Sequence, residues 1–166
     1  MGGALAAVLT LLAAAGVVAP ARAASPGPPP LVVRYASPAP GSLRVLRPFA
    51  APAQPWASGH RGADLASDEG ATVLAPAAGT VAVAGRVVDR GVVTIAHPDG
   101  LRSSLEPVAA SVVVGQEVAA GEPVGTLEPG PWHCAAACLH WGVRVGTSYV
   151  DPVALLPGAG PVVLLE

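Results

Sequence analysis

The sequence predicts a small, all-β, mostly antiparallel domain of the barrel-sandwich type. From residue 43 onward, short valine-rich runs are broken by Gly, Asp-Gly or Pro at intervals of roughly ten residues, as in sheets of short strands. No window outside the N-terminal apolar run keeps a helical hydrophobic period. Two glycine-spaced segments, 70–81 and 115–125, echo each other as hairpins of barrel-sandwich folds do.

The composition limits what such a domain can do. Only 4% of the 166 residues are aromatic, so valine and leucine must build most of the core. The net charge of −2 gives no electrostatic basis for nucleic-acid binding. All nine basic residues are arginines. Because biotin and lipoyl carriers attach their group to a lysine, the carrier functions of this fold are excluded.

The N-terminal segment is predicted to be a secretory signal peptide. An apolar run over residues 5–19 is followed by Ala21 and Ala23, small residues at the −3 and −1 positions of a cleavage site, which places the signal at residues 1–23. The run is short for a membrane span, so no stable span is expected after cleavage, with an uncleaved anchor as the alternative. The mature chain is therefore expected to be secreted or held in the cell envelope.

The remaining boundaries follow from composition. Residues 24–42 are rich in Pro, Ser and Gly and are predicted to form an extended linker. The folded domain is expected over residues 43–157, with Pro98-Asp99-Gly100 as a turn between two of its strands. Residues 158–166 form a short tail.

Two cysteines, Cys134 and Cys138, are separated by three alanines. Because an exported protein meets an oxidising compartment, this pair is expected to form a disulfide. The alternative is that both cysteines are metal ligands.

Two short motifs carry side chains that could share a metal ion. In Gly59-His60-Arg61-Gly62-Ala63-Asp64, the histidine and aspartate are four residues apart, so an extended segment projects both to one side. Zinc accepts imidazole nitrogen and carboxylate oxygen together. In Cys138-Leu139-His140, the first and third residues likewise share a face of a strand. Each motif alone is also typical of ordinary structural or surface polar groups.

Together, the motifs resemble those of the lysostaphin/LytM-type zinc endopeptidases. The resemblance consists of HxGxD at residues 60–64, a Val/Gly hairpin region, a strand with HxH-like spacing at 138–140 and a closing Tyr149-Val150-Asp151-Pro152, and it covers about residues 43–156. It implies that His60, Asp64 and His140 bind zinc. Three protein ligands with one open position are typical of a catalytic zinc site.

The same resemblance shows two departures. The family uses two further histidines that take up a proton and stabilise the tetrahedral intermediate. One is the first residue of HxH, where this chain has Cys138, and the other corresponds to Pro107 in Leu105-Glu106-Pro107-Val108. Both histidines are therefore missing from their expected positions.

Three arrangements remain open at this point. In the first, a Cys134–Cys138 disulfide pins a loop that brings His133 beside the zinc, and Glu106 acts as base, although alternation from Pro107 would aim Glu106 away. In the second, the cysteines are reduced and Cys138 is a fourth ligand, which closes the site to substrate. In the third, the site binds zinc but hydrolyses slowly or not at all.

The expected function is an exported zinc endopeptidase that acts on the peptide parts of bacterial peptidoglycan, as the resemblance implies. The alternative is a catalytically impaired zinc-binding domain that binds cell wall or regulates another wall hydrolase. Among other residues, His97 is predicted to be a turn residue, and Trp141 either walls a groove or lies in the core. Arg61 and Arg102 either meet carboxylates of an anionic peptide or are ordinary exposed arginines.

Overall fold

The structure is a computed structural model that describes residues 1–2, 33–54, 56–130, 132 and 134–158. Within these ranges the chain forms strands and one short 3₁₀ helix, which confirms the all-β prediction. They are β1 (Val45–Arg47), β2 (Ala63–Ala66), β3 (Thr72–Leu74), β4 (Gly79–Val87), β5 (Arg90–Ala96), β6 (Leu101–Glu106), β7 (Val108–Ala110), β8 (Glu117–Val118), β9 (Pro123–Leu127), β10 (Cys138–Val145), β11 (Ser148–Val150) and the 3₁₀ helix Val153–Leu155. None of the described helical structure has the length and apolar character that crossing a bilayer requires.

The described strands form two antiparallel sheets. The larger sheet has the order β1-β2-β10-β6-β5-β4-β8, and β11 pairs with β10 beside β2. The smaller sheet has the order β3-β9-β7. Because β10 lies between β2 and β6, segments far apart in sequence meet at the middle of the larger sheet.

The hairpin between β5 and β6 turns where the sequence predicts it. Gly100 has a φ of 86°, which a glycine adopts without steric cost. The Asp99 carboxylate accepts a hydrogen bond from the Leu101 amide at 3.0 Å, and the Gly100 amide donates to the His97 carbonyl at 3.0 Å. These contacts lie within the turn that joins β5 to β6, which pair in antiparallel register.

One hydrophobic core lies between the two sheets. It is built mainly from valine and leucine, as the low aromatic content requires, and its aromatic members are Trp141 and Tyr35. The largest fully buried side chains are those of Trp141, Leu65, Ile95, Leu105, Leu127, Leu139, Val73, Val81, Val93, Val108, Val124 and Val143. β10 contributes every second residue to this core, so its remaining residues are presented on the opposite face.

Part of the predicted linker packs on the domain. Signal residues 3–23, linker residues 24–32 and tail residues 159–166 lie outside the described residues. From Val33 onward, however, the chain contacts the core: Tyr35 is 5% exposed, and its hydroxyl donates to the Asp99 carboxylate at 2.9 Å. The folded unit therefore begins before residue 43, because Tyr35 is buried against the core. The Pro-, Ser- and Gly-rich composition of the segment did not indicate this burial.

Candidate metal centre

A row of side chains crosses the middle of the larger sheet. Arg47 on β1 is in register with Asp64 on β2, Asp64 with His140 on β10, and His140 with Glu106 on β6. Residues directly opposite each other on antiparallel strands project from the same face. The register alone therefore brings Asp64, His140 and Glu106 together from three distant parts of the sequence.

His60 joins this row from the segment that precedes β2. The backbone amide and carbonyl of His60 pair with those of Ala50 in an isolated bridge. This bridge directs the His60 ring towards β10. His60 Nε2 lies 3.1 Å from Asp64 Oδ1, His140 Nδ1 lies 2.7 Å from the same oxygen, and the two ring nitrogens are 3.2 Å apart. His60, Asp64 and His140 are 4%, 0% and 8% exposed, so the three groups meet in a buried position.

The hydrogen bonding of His60 fixes which nitrogen can bind a metal. Its Nδ1 lies 2.7 Å from the carbonyl oxygen of Pro48, and since a carbonyl oxygen only accepts, Nδ1 carries the hydrogen. In the neutral ring, Nε2 then presents its lone pair to Asp64 and His140. A carbonyl that orients a ligand histidine in this way is a common feature of metal sites.

The donor set fits zinc. A nitrogen lone pair and a carboxylate oxygen about 3 Å apart repel each other unless a proton or a cation lies between them. Zinc bonds to imidazole and carboxylate at 2.0–2.2 Å, so tetrahedral ligand atoms are about 3.3–3.6 Å apart. The observed separations of 2.7–3.2 Å differ from these by less than 1 Å, so His60, Asp64 and His140 could hold the ion after small shifts.

Gly62 makes room for the His140 ring. A Cβ at this position would lie 2.4 Å from the Trp141 carbonyl oxygen and 2.7 Å from His140 Nε2. A Cβ atom does not approach non-bonded atoms this closely, so only glycine lets the segment after His60 lie this near to β10. The central glycine of the HxGxD motif therefore has a packing role beside the site.

The candidate site opens into a cleft of about 750 Å³. Its walls are formed by Arg47, Gly59, His60, Arg61, Val83, Val87, Arg90, Val92, Thr94, Ser104, Glu106, His140, Gly142 and Tyr149. Glu106 is the last residue of β6 and faces this cleft, whereas its neighbour Leu105 is buried in the core. Arg90 Nε donates to Glu106 Oε2 at 2.8 Å, which holds the carboxylate in place.

The orientation of Glu106 differs from what alternation predicts. If Pro107 occupied the histidine position of the family and faced the site, Glu106 would point away. Instead, β6 ends at Glu106, and Pro107 is buried. The pairing of Glu106 with His140 therefore determines which residues of β6 face the cleft. The position of the proline does not.

Cys134 and Cys138 form a disulfide, as the sequence predicts. A ligand atom from each of Cys134, Cys138 and Asp64 lies within 4.8 Å of the other two, so the disulfide adjoins the metal-binding group. Because Cys138 is tied to Cys134, the arrangement with a reduced Cys138 as fourth ligand is not the one in the structure. His133 lies outside the described residues.

Two other predictions have clear outcomes. Trp141 is 0% exposed, so it is a core residue and not a groove wall. His97 is more than a turn residue: it is 5% exposed, its Nδ1 lies 2.9 Å from the Ala78 carbonyl and its Nε2 lies 2.9 Å from Ser103 Oγ. Burial is the main cause that lowers the pKa of His97. The sequence missed this role because the turn signal does not show that Ala78, 19 residues away, and Ser103, on the strand after the turn, enclose the ring.

The antiparallel sheet and the buried group of His60, Asp64 and His140 define a small β domain with a candidate metal centre. Residues 58–152 match the model of a family described as Peptidase family M23. Since this match covers more than half of the chain, the protein belongs to peptidase family M23.

Relatives in sequence come from mycobacteria. Uncharacterized proteins of Mycobacterium tuberculosis and Mycobacterium bovis are 50% identical over 117 residues, which cover 68% of this chain and 47% of each relative. The chain thus spans about half the length of the curated relatives that it matches.

Solved structures share the fold. A zinc-containing peptidase from Vibrio cholerae superimposes with a TM-score of 0.61 at 22% identity, covering 73% of this chain and 39% of that one. The catalytic domain of the antimicrobial peptidase lysostaphin from Staphylococcus simulans gives 0.58 at 21% identity, covering 67% of this chain and 90% of that one. At this level of identity, the likeness concerns the fold.

Proposed function

We propose that the protein is an exported zinc metalloendopeptidase that hydrolyses peptide bonds in bacterial peptidoglycan. The observation that carries the proposal is the convergence of His60, Asp64 and His140 within 4.8 Å of one another at a cleft, in a chain of family M23. Neighbours in structure are described as a zinc-containing peptidase and an antimicrobial peptidase. These descriptions support the same chemistry here.

In this proposal, His60, Asp64 and His140 hold the zinc ion. When bound, zinc supplies Lewis acidity, which polarises a peptide carbonyl and makes water more acidic. The cleft beside these residues would receive the peptide. The remaining task for the chain is to move a proton from the attacking water to the leaving amine.

Glu106 is our candidate for this proton transfer. It lines the cleft and is in register with His140, so it would serve instead of the absent family histidines. Arg90 donates to its Oε2, and this hydrogen bond is the main cause that raises the pKa of Arg90. The pair keeps the carboxylate oriented across the cleft. His133 remains a second candidate assistant, and it lies outside the described residues.

A second function is favoured by one specific observation. Of the two positions where the family has its assisting histidines, one holds Cys138, which is tied into a disulfide, and the other holds the buried Pro107. A domain of this kind could bind zinc and cell wall without efficient hydrolysis, or regulate another wall hydrolase.

One experiment separates the two functions. Purified protein is incubated with peptidoglycan with and without a chelator, and its zinc content is measured in parallel. The endopeptidase releases peptide fragments with zinc bound and loses this activity with the chelator. One zinc per chain without any release would favour the binding domain. A His60→Ala variant that keeps a normal zinc content would contradict the ligand assignment in both cases.

A further inference from the structure

The cleft has a charge opposite to that of the whole protein. The chain carries 9 basic and 11 acidic residues. Among the described residues that line the cleft, however, Arg47, Arg61 and Arg90 contribute three guanidinium groups, and Glu106 contributes one carboxylate. A concave site with an excess of positive charge concentrates anionic ligands. A zinc ion held beside this cleft would add to the excess.

The three arginines differ in the contacts that they already make within the protein. Arg90 donates to Glu106 and Asp89, each at 2.8 Å, so it serves within the protein. Arg47 is exposed on the edge strand β1. Arg61 is held more firmly, because its Nη2 donates to the Ala57 carbonyl at 3.1 Å and its guanidinium lies 6.0 Å from the centre of the Tyr149 ring.

Arg61 and Tyr149 stand where two cavities meet. Both residues line the main cleft, and both also line an adjoining cavity of about 280 Å³. A guanidinium has five N–H donors in a rigid plane, so it can keep an internal hydrogen bond and still form a bidentate contact to a carboxylate. Stacking against an aromatic ring restricts its orientation further.

We infer that the Arg61–Tyr149 end of the cleft is a subsite that binds a carboxylate of the peptide substrate. The inference rests on the proposed function and adds the chemical class that the substrate must contain. Arg61 directly follows His60, and an extended peptide advances about 3.3 Å per residue. Both residues line the same cleft, so a carboxylate on the cleaved peptide keeps a fixed spacing from the metal centre along that cleft, whereas a phosphate of a separate wall polymer has no fixed spacing from a peptide bond.

The test uses two synthetic peptides that differ in one group near the scissile bond, a free carboxylate or its carboxamide. Because hydrogen bonds to charged groups are the strong ones, the zinc-loaded wild-type chain should prefer the acid by about tenfold or more in kcat/KM, mainly through KM. In Arg61→Gln this preference should fall to about one, and Arg61→Lys should retain part of it. Arg44→Gln is the matched control, because Arg44 is exposed outside the cleft and its loss changes the net charge equally.

The outcomes are distinct from those for the proposed function. Equal cleavage of both peptides by the wild type, or an unchanged preference in Arg61→Gln, would overturn the subsite and leave the peptidase intact. If neither peptide is cleaved, the same acid-to-amide ratio is read from dissociation constants by calorimetry. Equal dissociation constants for the acid and the carboxamide peptide would overturn the subsite. Tighter, Arg61-dependent binding of inorganic phosphate than of the acid peptide would also overturn it.

Discussion

Asp64 and Glu106 flank His140 in one cross-strand row, but their surroundings give the two carboxylates different tasks. Asp64 is 0% exposed and has an imidazole nitrogen 2.7 Å and another 3.1 Å from one oxygen. Glu106 has a side chain that is 17% exposed and pairs with Arg90 at the cleft wall. An enclosed carboxylate beside two imidazoles is suited to hold a cation. A carboxylate at the cleft wall can exchange protons with a substrate.

The Glu106→Gln variant tests whether Glu106 transfers the proton while Asp64 holds the cation. The amide keeps the size of the side chain but cannot accept the proton, so we expect kcat on a peptide substrate to fall by about 10²–10⁴-fold. Zinc content should remain that of the wild type, because Glu106 is not among the ligand candidates. Glu69→Gln, an exposed position, is the control and should keep normal turnover. A Glu106→Gln enzyme with wild-type kcat would leave His133 as the remaining candidate.

Gly62→Ala tests the packing beside the site. The added Cβ would lie 2.4 Å from the Trp141 carbonyl oxygen and 2.8 Å from His140 Cε1. Overpacking of this kind costs about 1–3 kcal/mol, and displacement of the His140 ring should weaken zinc binding. Urea unfolding and zinc titration measure the two effects. Gly130→Ala is the control, since its Cβ would meet atoms no closer than 3.7 Å. Wild-type zinc affinity in Gly62→Ala would contradict the role given to this glycine.

At the level of elements, β10 connects the core to the candidate site. One face of this strand buries Leu139, Trp141 and Val143 in the core, and the other presents Cys138 and His140. The Trp141 indole N–H donates to Ser103 Oγ at 3.3 Å, and the same oxygen lies 2.9 Å from Nε2 of the buried His97 ring. The position of His140 is thus determined by packing on the opposite face of its own strand.

The disulfide is expected to stabilise the loop that leads into β10. It closes a loop with a sequence separation of 4, for which the chain-entropy model gives a contribution of about 2 kcal/mol. Reduction with dithiothreitol should lower the free energy of unfolding by up to this amount, as measured in urea. A Cys134→Ala/Cys138→Ala variant should show a similar loss and no response to reductant. An unchanged urea midpoint after complete reduction would show that the loop does not depend on the bond.

His97 should make stability depend on pH. Burial is the first cause that lowers its pKa, partly offset by the Ala78 hydrogen bond and the Asp99 charge, so the folded state favours the neutral ring. Below about pH 6.5, the ordinary histidine pKa, the unfolded state binds more protons. The contribution of His97 is therefore fully present above this pH and is lost as the pH falls towards the lower folded pKa.

The measurement is the urea midpoint between pH 8 and pH 5. The wild type should lose more stability than His97→Gln over the acidic part of this range, and the difference isolates His97 from the other histidines. Parallel curves for the two proteins would contradict this account.

For the whole molecule, the sequence predicts the fold class from short-range patterns, because valine-rich runs and turn residues indicate strands. The three ligand candidates, His60, Asp64 and His140, come from the resemblance of two distant motifs to those of the lysostaphin/LytM-type zinc endopeptidases. The orientation of Glu106 and the burial of His97 and Tyr35 could not be predicted in this way. They depend on where a strand ends and on partners distant in sequence, which alternation alone does not specify.

Zinc should stabilise the whole domain, because its candidate ligands connect β10 with β2 and with the segment before it. A ligand that binds only the folded state stabilises by about 2.7 kcal/mol at 100 times its Kd, which corresponds to a rise in Tm on the order of 10 °C for a domain of this size. We expect zinc to produce this rise and magnesium to produce little, since magnesium prefers sites built from oxygen. His60→Ala should abolish the zinc-dependent rise, which is measured against the metal-free Tm of the same variant because loss of the buried ring also lowers stability. If zinc raised the Tm of His60→Ala as much as that of the wild type, the ion would be binding elsewhere on the molecule.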